Sequence, residues 1–349
     1  PLVILGEEGP FAERLREKGI DVRVVPMDER TKMRERNTIN LGLFSDTYKL
    51  FKYGRSLAAL LKEEQVACVH TNSLKSAFFG AVAAKTARLP LIWHMRDHIG
   101  PPYMKPIVAR TIRFLTRLLP TGVIATSKST LHSLQLPESK KTLVVYSSFA
   151  KSIGEPPAVL PHNKGEFNVI LAGRLAHWKG QHVLLEAAKG FRDTPGVNFW
   201  LAGDALFGED TYKAELIRQM ETDGLTNVKL LGHVEDIQGI MRKADLLLHT
   251  SITPEPFGQV IIEGMAEGLP VIASNEGGPL EIVIHGETGF LIPPDKPQEL
   301  EEAIRWMLNH PEERRRMGER GRKRVKDHFV IEDTVASIMD YYKGLLTAT

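Results

Sequence analysis

The segment TPEPFGQVIIEG, Thr253 to Gly264, sets two carboxylates eight positions apart, Glu255 between Pro254 and Pro256 and Glu263 inside an apolar run. An ionised carboxylate only accepts hydrogen bonds, and sugar hydroxyls are natural donors to it. On a continuous helix, eight residues span ~12 Å at ~1.5 Å each, too far to share one proton or one metal ion. Acids so spaced suit an extended ligand with a sugar at each end. Pro256 disfavours helix at Glu255, so the helix should start near Gly258 and stop at Gly268 and Pro270. Its free N–H groups and positive dipole end then lie between the two acids, a good place for phosphate. Sugar, phosphate and ribose together describe a nucleotide sugar. The plainer alternative makes Glu263 a solvated residue of a surface helix and Glu255 part of a polar turn, and neighbouring segments must decide.

In AGRLAHWKGQHVLLEAA, Ala172 to Ala188, a strand ends at Gly173, a turn carries Arg174 and Lys179, and a helix follows from about Gln181. Gly173 admits close approach, and the two cations can neutralise a diphosphate, arginine as a fork and lysine as a point charge. Both are equally at home on a solvated loop. The glycine pair of NEGGPLE, Asn275 to Glu281, can turn backbone N–H groups toward an anion or hydroxyl, or simply make a turn.

The elements that must hold these groups are short β-branched runs alternating with helical patterns. LVIL, DVRVVP, ACVHT, LPLIWH, GVIATS and LVVYSS lie before Ser148; FNVILAG, NFWLAG, VKLLGH, DLLLHT, LPVIAS and GFLIPP lie after Glu166. Continuous apolar strands between helices read as parallel strands buried on both faces, and two doubly wound α/β sheets are the economical arrangement. The proline-rich KSIGEPPAVLPHNKGEF between them reads as a connector. The expected domains are 1–150, 151–330 and a carboxyl-terminal helix, 331–349. Ligands of such sheets bind at the carboxyl ends of strands, where strand order reverses.

The composition restricts function. With 349 residues and a net charge of +2, neither a nucleic-acid coat nor an acidic tail is indicated, and no nucleic-acid partner is expected. A single cysteine, Cys68, precludes an intramolecular disulfide and fits a reducing, cytoplasmic setting. No run reaches the ~20 apolar residues of a spanning helix, and the first residues lack a signal-peptide centre. Neither Gly-x-Gly-x-x-Gly nor Gly-x4-Gly-Lys-Ser/Thr is present, which disfavours Rossmann dehydrogenases and P-loop proteins.

GRLAHWKG, LGHVEDI, ADLLLHTSITPEPFGQVIIEGMAEGLPVIASNEGGPLEIV and HGETGFLIPP, in that order across 165–310, resemble the retaining glycosyltransferases of family 4, the "glycosyl transferases group 1". The resemblance implies the GT-B fold, two Rossmann-like domains facing across a cleft with the last helix crossing back to the first. It implies that Gly173, Arg174 and Lys179 hold the donor diphosphate, Glu263 the ribose hydroxyls and Glu255 the donor sugar. Phe257 and Gly258 would offer backbone N–H groups nearby, and the main chain at His233 and Val234 would flank the base.

The first half resembles the family less sharply, through Thr71 to Gly100. His94, ending the strand LPLIWH, matches the family's functional histidine, which reaches toward the donor sugar; it can exchange a proton near neutral pH or merely donate a hydrogen bond. Asn72, Ser73 and Asp97, with His98 behind them, are acceptor-side candidates. Set against the family, about one βα unit ahead of Leu2 would be expected to be absent from this sequence unless GEEGPF serves in its place, and YSSFAK stands where an Asn-Gly turn is usual. At residues 105–119, Arg110, Arg113 and Arg117 fall on one side, opposite Ile107, Ile112, Leu115 and Leu119. Such a helix can lie on an anionic bilayer or pack on its own domain.

The expected chemistry is transfer of a hexosyl group from a nucleoside-diphosphate sugar, UDP favoured over GDP, to a hydroxyl of a glycan or lipid-linked acceptor. The anomeric configuration is retained, by front-face attack on the family's pattern. His94, Glu255, Arg174 and Lys179 would act in it, with no cofactor and, lacking an Asp-x-Asp pair, no metal. The rivals are a catalytically silent nucleotide-sugar-binding or scaffold member and a nucleotide-sugar epimerase. The enzyme would work in the cytoplasm or at the inner face of the membrane.

Overall fold

The apolar runs become twelve strands among the described residues of a computed structural model, 1–27, 43–149 and 165–347. The proline-rich connector falls almost wholly outside them. In the first half the order is β1 (Leu2–Leu5), α1 (Pro10–Glu17), β2 (Asp21–Val24), α2 (Leu43–Glu63), β3 (Val69–Thr71), α3 (Leu74–Ala87), β4 (Leu91–Met95), α4 (Pro106–Leu118), β5 (Gly122–Ala125), α5 (Lys128–Ser133) and β6 (Thr142–Val144). β1 and β2 pair in parallel, and the other four form a sheet ordered β3-β4-β5-β6. β4 is buried throughout, Leu91 to Met95, as an inner strand covered on both faces requires.

The second half contains β7 (Phe167–Ala172), α6 (Gln181–Ala188), β8 (Val197–Ala202), α7 (Asp210–Thr222), β9 (Val228–Gly232), α8 (Ile237–Met241), β10 (Leu246–His249), α9 (Gln259–Ala266), β11 (Val271–Ser274), α10 (Pro279–Ile282), β12 (Gly289–Ile292), α11 (Pro297–Asn309), α12 (Pro311–His328) and α13 (Ile331–Leu346). Its parallel sheet runs β12-β11-β10-β7-β8-β9. Alternation along each strand divides its side chains between two layers. Val169, Leu171, Leu246 and Leu248 join Phe191, Phe199, Ile304 and Met307 on one face. Ile170, Leu247 and Val271 join Ile261, Ile262, Met265 and Phe329 on the other. The chain leaves β7 toward β8 and β9, then returns to the other side of β7 with β10, so strand order reverses between β7 and β10.

The contacts define two compact units: Pro1–Ile124, Gln135–Thr142 and Lys343–Thr349 in one, Ala125–Leu134 and Leu143–Tyr342 in the other. No helix among the described residues is long and apolar enough to cross a membrane.

Candidate active site

At the β7/β10 reversal two loops are stitched together. Thr250 Oγ1 donates to the carbonyls of Lys179 and Gly180, both at 3.0 Å, and Ile252 N–H donates to the Trp178 carbonyl at 2.9 Å. Gly180 makes this possible: its φ is +71°, and a Cβ there would run into the Thr250 carbonyl. The stitch places Lys179 against the segment that follows β10.

Lys179 Nζ lies 2.8 Å from Glu255 Oε2, and Ser251 Oγ donates to the same oxygen at 2.9 Å. His249 Nε2, at the end of β10, is 3.4 Å from it. Burial alone would raise the Glu255 pKa, but the hydrogen bond from His249 and the Lys179 charge hold the carboxyl well below its ordinary range. Glu255 is therefore an anion with three partners on one oxygen. Arg174 sits 3.3 Å from Glu209 Oε2, its guanidinium over the rings of Phe207 and Trp178.

The backbone around Glu255 is fixed from two sides. Gly278 N–H donates to the Glu255 carbonyl at 2.8 Å, so the glycine pair of NEGGPLE is used for packing against the Glu255–Phe257 backbone and this N–H is not left for an anion. Ser127 Oγ at 2.6 Å and Thr130 Oγ1 at 3.1 Å both donate to the Pro256 carbonyl. The Glu281 carboxylate takes the N–H groups of Lys128 and Ser129, each at 2.9 Å. Beyond Pro256, Phe257 buries its ring against Tyr146 and Phe329. Gly258, φ +108°, is then the N-cap of α9, which begins at Gln259, where the sequence places the helix start.

These segments enclose a cavity of about 540 Å³ whose lining includes Gly173, Arg174, Lys179, Glu255, Gly258 and Glu263, within the range of small-ligand sites. His233 and Val234 border it too. The site residues named from sequence in the second unit thus line one cavity, except Phe257, whose side chain belongs to the core, while His94, Asn72, Ser73 and Asp97 lie in the first unit. Glu263, half-buried one turn into α9, has its pKa raised by burial against a lowering hydrogen bond from Gln259. Among the described residues no cluster of three or more His, Cys, Asp or Glu could hold a metal ion.

Sequence reasoning missed His249, Ser251 and the cavity-lining Asp204 and Leu206. A signal for the last two existed: Leu-Ala-Gly ends both β7 and β8, so GDAL after β8 occupies the same kind of strand end as GRLA after β7.

In the first unit, His94 ends β4 with His70 Nε2 3.2 Å from its Nδ1. Burial, then the Arg96 charge and His70, push the His94 pKa down to about 3; burial and Arg96 push His70 to about 4. Both rings are neutral at physiological pH, so of the two roles expected for His94 hydrogen bonding fits and proton exchange near neutrality does not. His94 Nε2 is buried with no partner among the described residues. Asn72 Oδ1 accepts from Arg96 Nε at 2.8 Å, Ser73 caps α3 through its hydroxyl and Ser76, and Asp97 Oδ1 accepts from the Tyr103 hydroxyl at 3.4 Å.

The parallel, doubly wound sheets are those of the GT-B fold, and the chain is similar to glycosyltransferases along both halves. Its two halves match different families, "Glycosyltransferase Family 4" over residues 11–146 and "Glycosyl transferases group 1" over 153–324. The D-rhamnosyltransferase WbpZ of Pseudomonas aeruginosa is 33% identical over 164 residues, 46% of this chain and 41% of that protein. The capsular polysaccharide biosynthesis glycosyltransferase CapM of Staphylococcus aureus is 25% identical over 346 residues, 91% of this chain and 88% of that one. The chain thus spans less than half of WbpZ, and about half of another curated relative, the spore coat protein SA of Bacillus subtilis (49%). Among solved structures, Anabaena Alr3699/HepE in complex with UDP and glucose superposes with a TM-score of 0.81 at 29% identity, covering 98% of this chain and 91% of that one.

Proposed function

We propose that the chain moves a hexosyl group from a UDP-sugar to a hydroxyl of a glycan or lipid-linked acceptor, with retention, as a family 4 enzyme. The observation that carries this reading is the single cavity that gathers Arg174, Lys179, the start of α9, Glu255 and Glu263. Arg174, Lys179 and the helix N-terminus supply positive charge where leaving-group charge builds on the diphosphate. Glu263 accepts from the ribose hydroxyls, and Glu255 accepts from the donor sugar and positions it without acting as a nucleophile. The Anabaena protein was crystallised with UDP and glucose, which supports the choice of base. His94 hydrogen-bonds as a neutral ring, and Asn72, Ser73 and Asp97 serve the acceptor side. The enzyme works peripherally at the inner membrane face, through residues 105–119.

Release of nucleoside diphosphate from UDP-glucose, UDP-galactose, UDP-N-acetylglucosamine and GDP-mannose, with and without crude lipid or oligosaccharide acceptors, tests this. Turnover of one UDP-sugar, lost in Glu255→Ala, is expected. UDP binding without turnover of any donor, unchanged by Glu255→Ala, would favour a silent binding protein.

A further inference from the structure

The two carboxylate oxygens of Glu255 stand in different surroundings. Oε2 has Lys179 Nζ at 2.8 Å, Ser251 Oγ at 2.9 Å and His249 Nε2 at 3.4 Å. Oε1 has no hydrogen-bond partner among the described residues. The side chain is 13% exposed and borders the cavity. The last torsion of a glutamate is broad and roughly two-fold, so by itself it does not choose between the oxygens. Contacts confined to Oε2 make the choice and leave Oε1 as the acceptor open to a ligand.

Two of the three donors come from one strand end. His249 is the last residue of β10 and Ser251 lies two residues further on, both buried. Residues two apart on an extended chain share a side, and Thr250 between them donates instead to the carbonyls of Lys179 and Gly180. The Ser274 hydroxyl, from β11, donates to the His249 carbonyl at 3.3 Å. Ser251 Oγ and His249 Nε2 are themselves 3.4 Å apart. A serine hydroxyl has one hydrogen, which here goes to the carboxylate, so its oxygen can only accept from His249. An ionised carboxylate also only accepts, so Nε2 carries the ring hydrogen. His249 Nδ1 is buried with no partner among the described residues, which leaves the hydrogen bonds of the ring on its Nε2 side.

Lys179 cannot be the lasting anchor of this carboxylate. On the donor reading it also faces the diphosphate, and a phosphate that accepts from it competes with Glu255 for the same ammonium group. His249 and Ser251 lie outside the cavity lining and keep their contacts when Lys179 turns away. We propose that His249 and Ser251 are positioning residues of the transfer: they hold Glu255 Oε2 while Lys179 turns to the donor diphosphate, and so aim Oε1 at a hydroxyl of the donor sugar. This role rests on the donor reading given above and adds two residues and one oxygen to it. The hydrogen bond from His249 also favours the ionised carboxylate. Among the described residues Lys179, from the turn after β7, and His249, from the end of β10, are the titratable groups that face it.

The test is release of UDP from UDP-glucose, UDP-galactose and UDP-N-acetylglucosamine, with crude lipid or oligosaccharide acceptors, by the unaltered chain, Ser251→Ala, His249→Leu and His249→Gln from pH 7 to 5. UDP binding by calorimetry on each protein accompanies it. Ser251→Ala and His249→Leu are expected to lower kcat roughly tenfold to a hundredfold with UDP affinity unchanged. Both should move the acid limb of kcat to higher pH, because fewer donors then favour the carboxylate; titration of Glu263 is common to all four proteins and cancels in the comparison. His249→Gln, which keeps an N–H donor at similar reach, should recover most of kcat. Ser251→Ala removes one hydroxyl and keeps the test decisive should His249→Leu not fold. Equal kcat and the same acid limb in all four would overturn the positioning role and leave the donor reading standing. UDP affinity lost in step with kcat in both Ser251→Ala and His249→Leu would make the pair a structural support only, which also overturns it. No UDP release by the unaltered chain from any of the three sugars would remove the transfer reading, and the role of the pair with it.

Discussion

Lys179 Nζ and Glu255 Oε2, 76 positions apart in sequence, stand 2.8 Å from each other. The groups assigned from sequence to the diphosphate and to the donor sugar are thus partners of each other; on the proposed reading an arriving donor's phosphate would accept from Lys179 and its sugar hydroxyl would donate to Glu255.

Because this pair is mostly buried, removing one partner strands the other. Lys179→Met and Glu255→Gln are each expected to destabilise the fold, Lys179→Met by roughly 3–5 kcal/mol, while the double variant recovers part of that loss. A urea-unfolding double-mutant cycle measures the coupling. Additive single effects would show that the two side chains act independently. All three variants should lose donor turnover, Lys179→Met by roughly 10²–10³ in kcat.

The His70–His94 pair sets a pH dependence of stability. Both stay neutral in the folded chain down to about 4 and about 3 respectively, against an ordinary 6.5, so unfolding takes up a proton at each as pH falls below 6.5. Their contribution is fully present above 6.5 and is lost toward those lower values, with a slope approaching about 1.4 kcal/mol per pH unit for each histidine. His94→Asn should roughly halve this part of the slope in urea midpoints measured from pH 7 to 5. An unchanged slope would mean that His94 is charged in the folded state.

Glu263 predicts a second pH dependence, in binding. Its raised pKa means that the carboxylate is protonated at a higher pH than usual, so the acceptor proposed for the ribose hydroxyls is lost early on acidification. UDP affinity measured by calorimetry should fall from pH 7 to 5, and Glu263→Gln should bind roughly tenfold more weakly at pH 7 with a flatter profile. A Glu263→Gln profile parallel to that of the unaltered chain would place the titration elsewhere.

Gly180→Ala should cost more stability than a surface change. The new methyl meets the Thr250 carbonyl, and the residue must hold φ +71°. Loss of roughly 1–3 kcal/mol is expected, together with weakened donor binding, because the same contact sets Lys179 beside Glu255. Thermal denaturation and UDP titration of this one variant check both; a stable variant that no longer binds UDP would separate the stitch from the fold.

The strands were legible from sequence because continuous apolar runs identify buried parallel strands, and all twelve runs are strands here. The cavity residues were legible because they sit at strand ends and at one helix start. His70 was not connected with His94, since strands buried on both faces carry no alternation from which register can be read. The pairing of His70 with Ile92 sets His94 two residues further along the same face. His249 was missed for a related reason: it is the last residue of an otherwise apolar strand, and only the loop that brings Glu255 back to it reveals its partner.

The ring of Trp178 lies 4.3 Å from Lys179 Nζ and 6.0 Å from the Arg174 guanidinium carbon. Indole emission responds to the electric field across the ring, so neutralising these two cations alters the light that Trp178 emits. If these two cations hold the donor diphosphate as proposed, Trp178 is an intrinsic optical reporter of occupancy that separates arrival of the anionic group from any later bond breaking without a label.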